Sequence, residues 1–143
     1  MRPNYMRVVG AGIVGTLVMT ALGLWIGPAM GLPRMNPAEM LASKMGGVAI
    51  LGWVGHLMIG IVLALIYASF VASRLPGPPV VRGAVFSLAP WLMAQIVVLP
   101  MMGMPLFSGS MPMAVGSLLG HLVYGAVVGG MIGDPALQEV KRV

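Results

Sequence analysis

Four apolar stretches, each long enough to cross a lipid bilayer, constrain the fold of this chain more than any other feature. They cover residues 8–30, 48–72, 81–102 and 113–133, and no charged side chain lies away from their ends. A helix rises about 1.5 Å per residue, so about 20 residues cross a hydrocarbon core of about 30 Å. Only 8% of the residues are charged, against about a quarter in soluble domains. The sequence therefore predicts an all-α membrane protein with four transmembrane helices, in contact with the lipid bilayer.

The connection after the first stretch contains a helix-starting signal. Asn36 is an N-cap residue, Pro37 occupies the first helical position, and Glu39 places a negative charge in the first turn. We therefore expect a short interfacial helix over residues 37–45, with its apolar side against the lipid boundary. Residues 73–79 contain three prolines. Because proline lacks the amide donor that a helix needs, this segment predicts a tight turn.

The chain repeats one helical hairpin. Residues 52–60, which read Gly-Trp-Val-Gly-His-Leu-Met-Ile-Gly, return 65 positions later as Ser-Leu-Leu-Gly-His-Leu-Val-Tyr-Gly at residues 117–125. Residues 28–33, Pro-Ala-Met-Gly-Leu-Pro, return 72 positions later as Pro-Met-Met-Gly-Met-Pro at residues 100–105. The second hairpin therefore matches the first, with a connection that is seven residues shorter.

This repeat predicts the domain organisation. Repeat one covers residues 7–72 and repeat two covers residues 80–133, with a tail of residues 134–143 in the same single domain. Equivalent helices of the two hairpins run in the same direction. We therefore expect a pseudo-twofold axis along the membrane normal, the arrangement of parallel repeats found in some transporters.

The basic residues predict how the helices are oriented. Most of them lie at the N-terminus, around the 73–79 turn or in the tail: Arg2, Arg7, Arg74, Arg82, Lys141 and Arg142. The two opposite connections hold only Arg34 and Lys44. Because cytoplasmic segments carry an excess of Lys and Arg, both termini are predicted to be cytoplasmic. Topology also explains the net charge of +5, so no nucleic-acid partner is expected.

The only two histidines of the chain form its most site-like pattern. Side chains four positions apart share one face of a helix. At that spacing both histidines have small neighbours: Gly52 and Gly60 flank His56, and Ser117 and Gly125 flank His121. Both imidazoles are expected near the bilayer midplane, where an ionisable group is a functional-site hypothesis by default.

A b-type haem is the first ligand that this pattern favours, because histidine is an axial ligand of haem iron. The predicted iron ligands are His56 and His121, and the residues that leave room for the porphyrin are Gly52, Gly60, Ser117 and Gly125. The arrangement resembles membrane cytochromes b, in which two helices of a small bundle carry the histidines. That resemblance implies an electron-transfer subunit. A (bacterio)chlorophyll ligated by one histidine would fit the same helices.

Helix packing is the alternative explanation of the same pattern. Small residues at every fourth position let transmembrane helices approach closely without any cofactor. Each histidine would then hydrogen-bond a backbone carbonyl or one of four nearby polar side chains: Thr16, Thr20, Ser87 or Gln95. On this interpretation the protein is a non-catalytic accessory subunit of a larger membrane complex, or a homo-oligomer, without a cofactor of its own.

Methionine is the other unusual feature. Nine of the fifteen methionines lie in residues 30–45 or 101–113, at the ends of the helices and in the connections opposite the termini. Thioethers suit Cu(I), and the clustering resembles the methionine-rich regions through which copper enters its transporters. Methionine is also a flexible apolar filler, and neither segment contains a histidine or cysteine. A copper or small-solute permease is therefore a third possibility.

Taken whole, the chain resembles small four-helix inner-membrane proteins of bacteria that form families of unknown function. The resemblance rests on the duplicated hairpin and on its two elements Gly55-His56-Leu57 and Gly120-His121-Leu122. It implies a bacterial inner (cytoplasmic) membrane protein and carries no activity with it. An enzyme is not expected, because the sequence has no carboxylate pair, no nucleophile beside a base and no Gly-rich phosphate loop.

The predicted topology can be tested with reporters. A reporter fused after Val143 should report a cytoplasmic position, because four spans return the chain to the side of its N-terminus. A reporter inserted within residues 106–110 should report an external position, because three spans lie between the N-terminus and this connection. Protease protection in oriented vesicles measures the same difference. Both reporters on one side of the membrane would refute the four-span topology.

Overall fold

The computed structural model describes residues 4–134, and within this range it is helical without any strand. Four long helices are each long and apolar enough to cross a membrane: α1 Tyr5–Ala29, α3 Ala49–Val71, α4 Pro79–Met101 and α5 Met111–Ile132. The short helix α2, Pro37–Lys44, precedes α3, and a 3-10 turn, Leu106–Gly109, precedes α5. The four predicted spans are confirmed within three residues at every end. Most of the predicted tail, with Lys141 and Arg142, and also Arg2, lie outside the described residues.

Helix α2 begins and ends where its sequence signals predict. The Asn36 Oδ1 accepts hydrogen bonds from the amides of Ala38 (3.1 Å) and Glu39 (3.4 Å), which satisfies two of the amides that a helix start leaves free. At the other end, Gly46 and Gly47 adopt φ values of 74° and 77°. Such left-handed conformations favour glycine and end the helix before α3 begins.

Helices α1 and α4 end in the same irregular way, 72 positions apart. Each contains a π-helical stretch, Leu22–Ile26 in α1 and Ala94–Val98 in α4. Each stretch is followed by one short α-helical turn whose second residue is a proline, Pro28 or Pro100. A proline ring displaces the carbonyl four residues before it and donates no hydrogen bond, which accounts for a loosened helix at this place.

The chain also leaves these two helices by equivalent turns. The amide of Leu32 donates to the carbonyl of Gly27, and the amide of Met104 donates to that of Leu99, both at 2.9 Å. Gly31 and Gly103, the residues before these donors, have φ values of 82° and 80°. Backbone geometry therefore repeats along with the sequence. The pseudo-twofold axis itself stays a prediction.

The long helices form a ring in the order α3, α1, α5, α4, with α2 packed on α3. This order is the one expected for two hairpins related by an axis along the membrane normal. The two junctions between the hairpins differ, however. Helices α1 and α5 pack closely. Helices α3 and α4 meet mainly where the C-terminal end of α3 lies near the N-terminal half of α4, and there the rings of Tyr67 and Phe86 are 5.4 Å apart. The bundle is therefore less tightly closed between α3 and α4.

Glycines allow the helices of each hairpin to approach each other backbone to backbone. A Cβ added to Gly12 of α1 would lie 2.8 Å from the Cα of Ile61 in α3. In the second hairpin, a Cβ on Gly83 would collide with the carbonyl oxygen of Gly125, and one on Gly125 would collide with that of Gly83. Close approach of this kind is a main source of helix association in lipid, where apolar side chains gain little by leaving the surrounding hydrocarbon.

These contacts predict a difference between two glycine substitutions. Gly125→Ala should destabilise the protein by about 1–3 kcal/mol, because the added methyl group must push α4 away from α5. The matched control is Gly10→Ala in α1, where a Cβ would have no neighbour within 4 Å, and where alanine should be neutral or slightly stabilising. Thermal unfolding in detergent compares the two. Equal midpoints would contradict the glycine-mediated packing of α4 on α5.

Candidate functional site

A cavity of about 210 Å³ lies inside the half of the bundle that carries α2. All four long helices line it, and the two connections at the α2 end lie over it. The opposite half is filled by a buried apolar cluster: Val8, Ala11, Ala64, Tyr67, Ala72, Tyr124, Val128 and Ile132. Ile59 of α3 and Met93 of α4 line the cavity and are also exposed on the outside of the bundle. The bundle is thus solid at one end and hollow at the other.

The structure separates the six residues predicted to bind a cofactor into two groups. His56, His121, Gly60 and Ser117 all line the cavity. Gly52 and Gly125 do not. A Cβ on Gly52 would collide with the carbonyl of Ala38 in α2, and Gly125 lies against α4. Helix packing therefore explains the small size of these two residues, and their role in leaving room for a porphyrin stays a prediction.

His56, on α3, is buried and bonded to α1. Its Nε2 lies 3.0 Å from the Thr20 hydroxyl oxygen. That hydroxyl already donates its single proton to the carbonyl of Thr16, at 2.7 Å. The Thr20 oxygen can therefore only accept from the imidazole. Nε2 of His56 carries the proton, and Nδ1 holds the free lone pair.

His121, on α5, has the opposite tautomer. Its Nδ1 lies 2.8 Å from the carbonyl oxygen of Ser117, one helical turn earlier. A carbonyl oxygen only accepts, so Nδ1 carries the proton and Nε2 holds the lone pair. Within residues 4–134, neither this Nε2 nor the Nδ1 of His56 has a hydrogen-bond partner. Each imidazole thus keeps one basic nitrogen available beside the cavity.

These bonds agree with the packing alternative, which predicted a carbonyl or Thr20 as partner. They also have the form that metal-binding histidines show, because such a histidine donates its second N–H to a carbonyl or another acceptor, which sets its tautomer and orientation. The hydrogen bonds alone therefore do not separate packing from metal binding.

Seven methionines line the same cavity: Met19, Met35, Met40, Met93, Met102, Met104 and Met113. Five of these come from the cluster of nine near the α2 end, and all five are half-buried. The other four are exposed at the surface: Met30, Met45, Met101 and Met111. Neither sequence segment of this cluster contains a histidine. In the structure both histidines share a cavity with its inward half.

Three polar side chains that line the cavity, Ser108, Gln95 and Ser117, are hydrogen-bonded in series. The Gln95 amide nitrogen donates to the Ser117 hydroxyl, and the Ser108 hydroxyl donates to the Gln95 amide oxygen, both at 3.1 Å. Deeper in the bundle, the Tyr124 hydroxyl donates to the carbonyl of Gly60 at 2.5 Å and links α5 to α3. Ser108 and Tyr124 carry no sequence signal that distinguishes them. Sequence reasoning missed both as residues of this region.

Family comparison can now be added to this geometry. A model of a family of unknown function, DUF6789, matches residues 3–140 of the chain. The chain belongs to this family. Its membership confirms the resemblance to small membrane proteins of unknown function and brings no activity. No curated protein matches the chain, and no solved structure matches it.

The donor atoms of the cavity limit which group it could hold. Within residues 4–134 there is no group of three or more His, Cys, Asp or Glu side chains that could hold a metal ion. The cavity lining offers a metal two imidazole nitrogens, seven thioether sulfurs and the neutral side-chain oxygens of Thr16, Gln95, Ser108, Ser117 and Tyr124. A haem would need space for its ring beside both imidazoles. A Cβ on any of the three glycines among the four small residues predicted to provide that space, Gly52, Gly60 and Gly125, would collide with another helix, and the Nε2 of His56 is bonded to Thr20.

Thr20 should hold His56 in its present tautomer. Thr20→Val removes the acceptor of the His56 N–H and should cost about 1 kcal/mol, in the range measured for hydrogen bonds between transmembrane helices. The control is Thr16→Val, since the Thr16 hydroxyl bonds only the Gly12 carbonyl in its own helix. Thermal unfolding in detergent gives the stabilities, and ¹⁵N shifts of labelled histidine give the tautomer. A change no larger in Thr20→Val than in Thr16→Val would contradict this role.

Proposed function

We propose that this multi-pass membrane protein binds monovalent copper in the cavity near α2. The observation that carries the proposal is the convergence of two imidazoles and seven thioethers on one cavity. Thioethers favour Cu(I), and imidazole also suits copper. In sequence the histidines lie outside the methionine cluster, whereas in the fold both line the same cavity as five of its methionines.

The protonation of the histidines supports the same ligand. A metal needs the lone pair of a neutral imidazole. His56 offers Nδ1 and His121 offers Nε2, while the other nitrogen of each ring donates to Thr20 or to the Ser117 carbonyl. Neither ring needs to break a hydrogen bond to bind a metal ion. Each of the two imidazoles that line the cavity thus offers one nitrogen without a hydrogen-bond partner among the described residues.

Charge favours a monovalent ion. The cavity is almost entirely apolar and has no carboxylate in its lining. The Born cost of placing an ion in an apolar medium grows with the square of the charge, so a divalent ion costs about four times as much as a monovalent one. Structural Zn²⁺ sites usually have four ligands of the Cys, His or carboxylate type. Cu(I) fits this neutral, thioether-rich lining better than Zn²⁺.

Copper binding can be measured directly. Detergent-purified protein should bind one Cu(I) under anaerobic, reducing conditions, in competition with a chromophoric chelator. His56→Ala and His121→Ala should each weaken binding about tenfold or more, equivalent to about 1.4 kcal/mol. Joint Met35→Leu and Met104→Leu substitutions should also weaken it, because leucine keeps the volume and removes the sulfur. The elution profile in size-exclusion chromatography reports whether each variant is folded.

Matched methionines outside the cavity provide the control. Met58→Leu and Met101→Leu remove thioethers that are 59% and 83% exposed, and Cu(I) affinity should stay unchanged. Equal losses in these controls would place the copper on the surface. A Soret band that either histidine variant abolishes would favour haem b. Colourless protein that binds no copper and co-purifies with large partners would favour the accessory subunit.

A further inference from the structure

The turn over the cavity has an unfavourable backbone. Phe107 and Ser108, in the 3-10 turn between α4 and α5, have φ values of 53° and 61°. Gly109, next in the chain, has a φ of 63°. Glycine tolerates this left-handed region, whereas other residues occupy it at a cost. Two consecutive non-glycine residues in this conformation persist only where surrounding contacts hold them.

Two contacts hold the turn in place. The Ser108 hydroxyl donates to the amide oxygen of Gln95, whose amide nitrogen in turn donates to Ser117. The Phe107 ring lies 6.1 Å from the Trp91 ring, in a tilted arrangement. Gln95 is only 1% exposed, so its orientation is set by the interior of the bundle. The buried Gln95 side chain therefore helps to fix the surface turn through the Ser108 hydroxyl.

The turn also contributes to the lining of the cavity. Ser108 and Met104, from the same connection, line the cavity. Gln95 belongs to the π-helical stretch of α4, where the regular helix hydrogen-bond pattern is already interrupted. Releasing the Ser108 bond would let Phe107 and Ser108 return to favoured backbone angles, so loss of the bond is partly offset by relief of strain.

We propose that the turn Leu106–Gly109 is a movable cover of the cavity, held shut by the hydrogen bond from Ser108 to Gln95. With the cover open, a small cation reaches the cavity from the α2 end, the end predicted to be external. The cover rests on the proposed function for its purpose, because it regulates access to the same two histidines. Its movement does not require that copper be the ligand.

Thiol labelling tests the cover without any copper. The chain has no cysteine, so a single introduced cysteine reports alone. Met113→Cys places a thiol in the cavity lining, and Met111→Cys places one on the exposed surface two residues earlier. Each variant is treated with methanethiosulfonate ethyltrimethylammonium, a membrane-impermeant cation, and the labelling rate is followed by mass.

With the cover intact, Met113→Cys should react about tenfold more slowly than Met111→Cys, which corresponds to a cover that is open about a tenth of the time. Adding Ser108→Ala should raise the rate at Met113→Cys toward that at Met111→Cys and leave the latter unchanged. Gln95→Leu removes the acceptor of the same hydrogen bond and should have the same effect on the labelling rate. The control is Ser43→Ala, whose exposed hydroxyl bonds only the Met40 carbonyl in α2.

Two results would overturn the proposal. One is a rate at Met113→Cys that equals the rate at Met111→Cys while Ser108 and Gln95 are both present. The other is a slow rate at Met113→Cys that neither Ser108→Ala nor Gln95→Leu changes, in protein that elutes as a folded species. Neither result depends on copper, so failure of the cover and failure of the copper site are distinguishable.

Discussion

The close approach of α4 and α5 at Gly83 and Gly125 is the contact on which the rest of the bundle depends. In lipid, helices gain little from burying apolar side chains, so association relies on close van der Waals contact between backbones. Next to Gly125, Tyr124 reaches from α5 across to the Gly60 carbonyl in α3. One turn before Gly125 on the same face of α5, His121 borders the cavity. The glycine contact thus fixes the position of α5 from which both functional side chains extend.

Hydropathy, capping residues and the internal repeat were enough to predict the helices, because each of these signals is local in sequence. The start of α2 at Asn36 is an example, since its hydrogen bonds are made within three residues. The lining of the cavity was harder to predict. Spacing shows that Gly52, His56 and Gly60 share one face of α3, but not which neighbour that face meets. Gly52 meets α2 while His56 meets Thr20 and the cavity. Only the arrangement of helices separates these roles.

The histidines illustrate how packing and binding can use the same residues. Each imidazole makes one hydrogen bond that a purely structural histidine would make, and retains one nitrogen for which the described residues offer no partner. Burying such a polar nitrogen costs less free energy if the nitrogen meets a ligand than if it faces only hydrocarbon. The surrounding thioethers are weak hydrogen-bond acceptors, so they do not satisfy the imidazole groups as an oxygen would.

The π-helical stretches of α1 and α4 lie at equivalent places in the two hairpins. A π-helical stretch amounts to one residue inserted into a regular helix, and here it precedes a proline at equivalent places in both halves. The two hairpins nevertheless hold their histidines differently. Thr20, which holds His56, corresponds to Leu92 in the second half, where the Ser117 carbonyl holds His121 instead. A repeated backbone therefore carries two histidines that are protonated on different ring nitrogens, Nε2 in His56 and Nδ1 in His121.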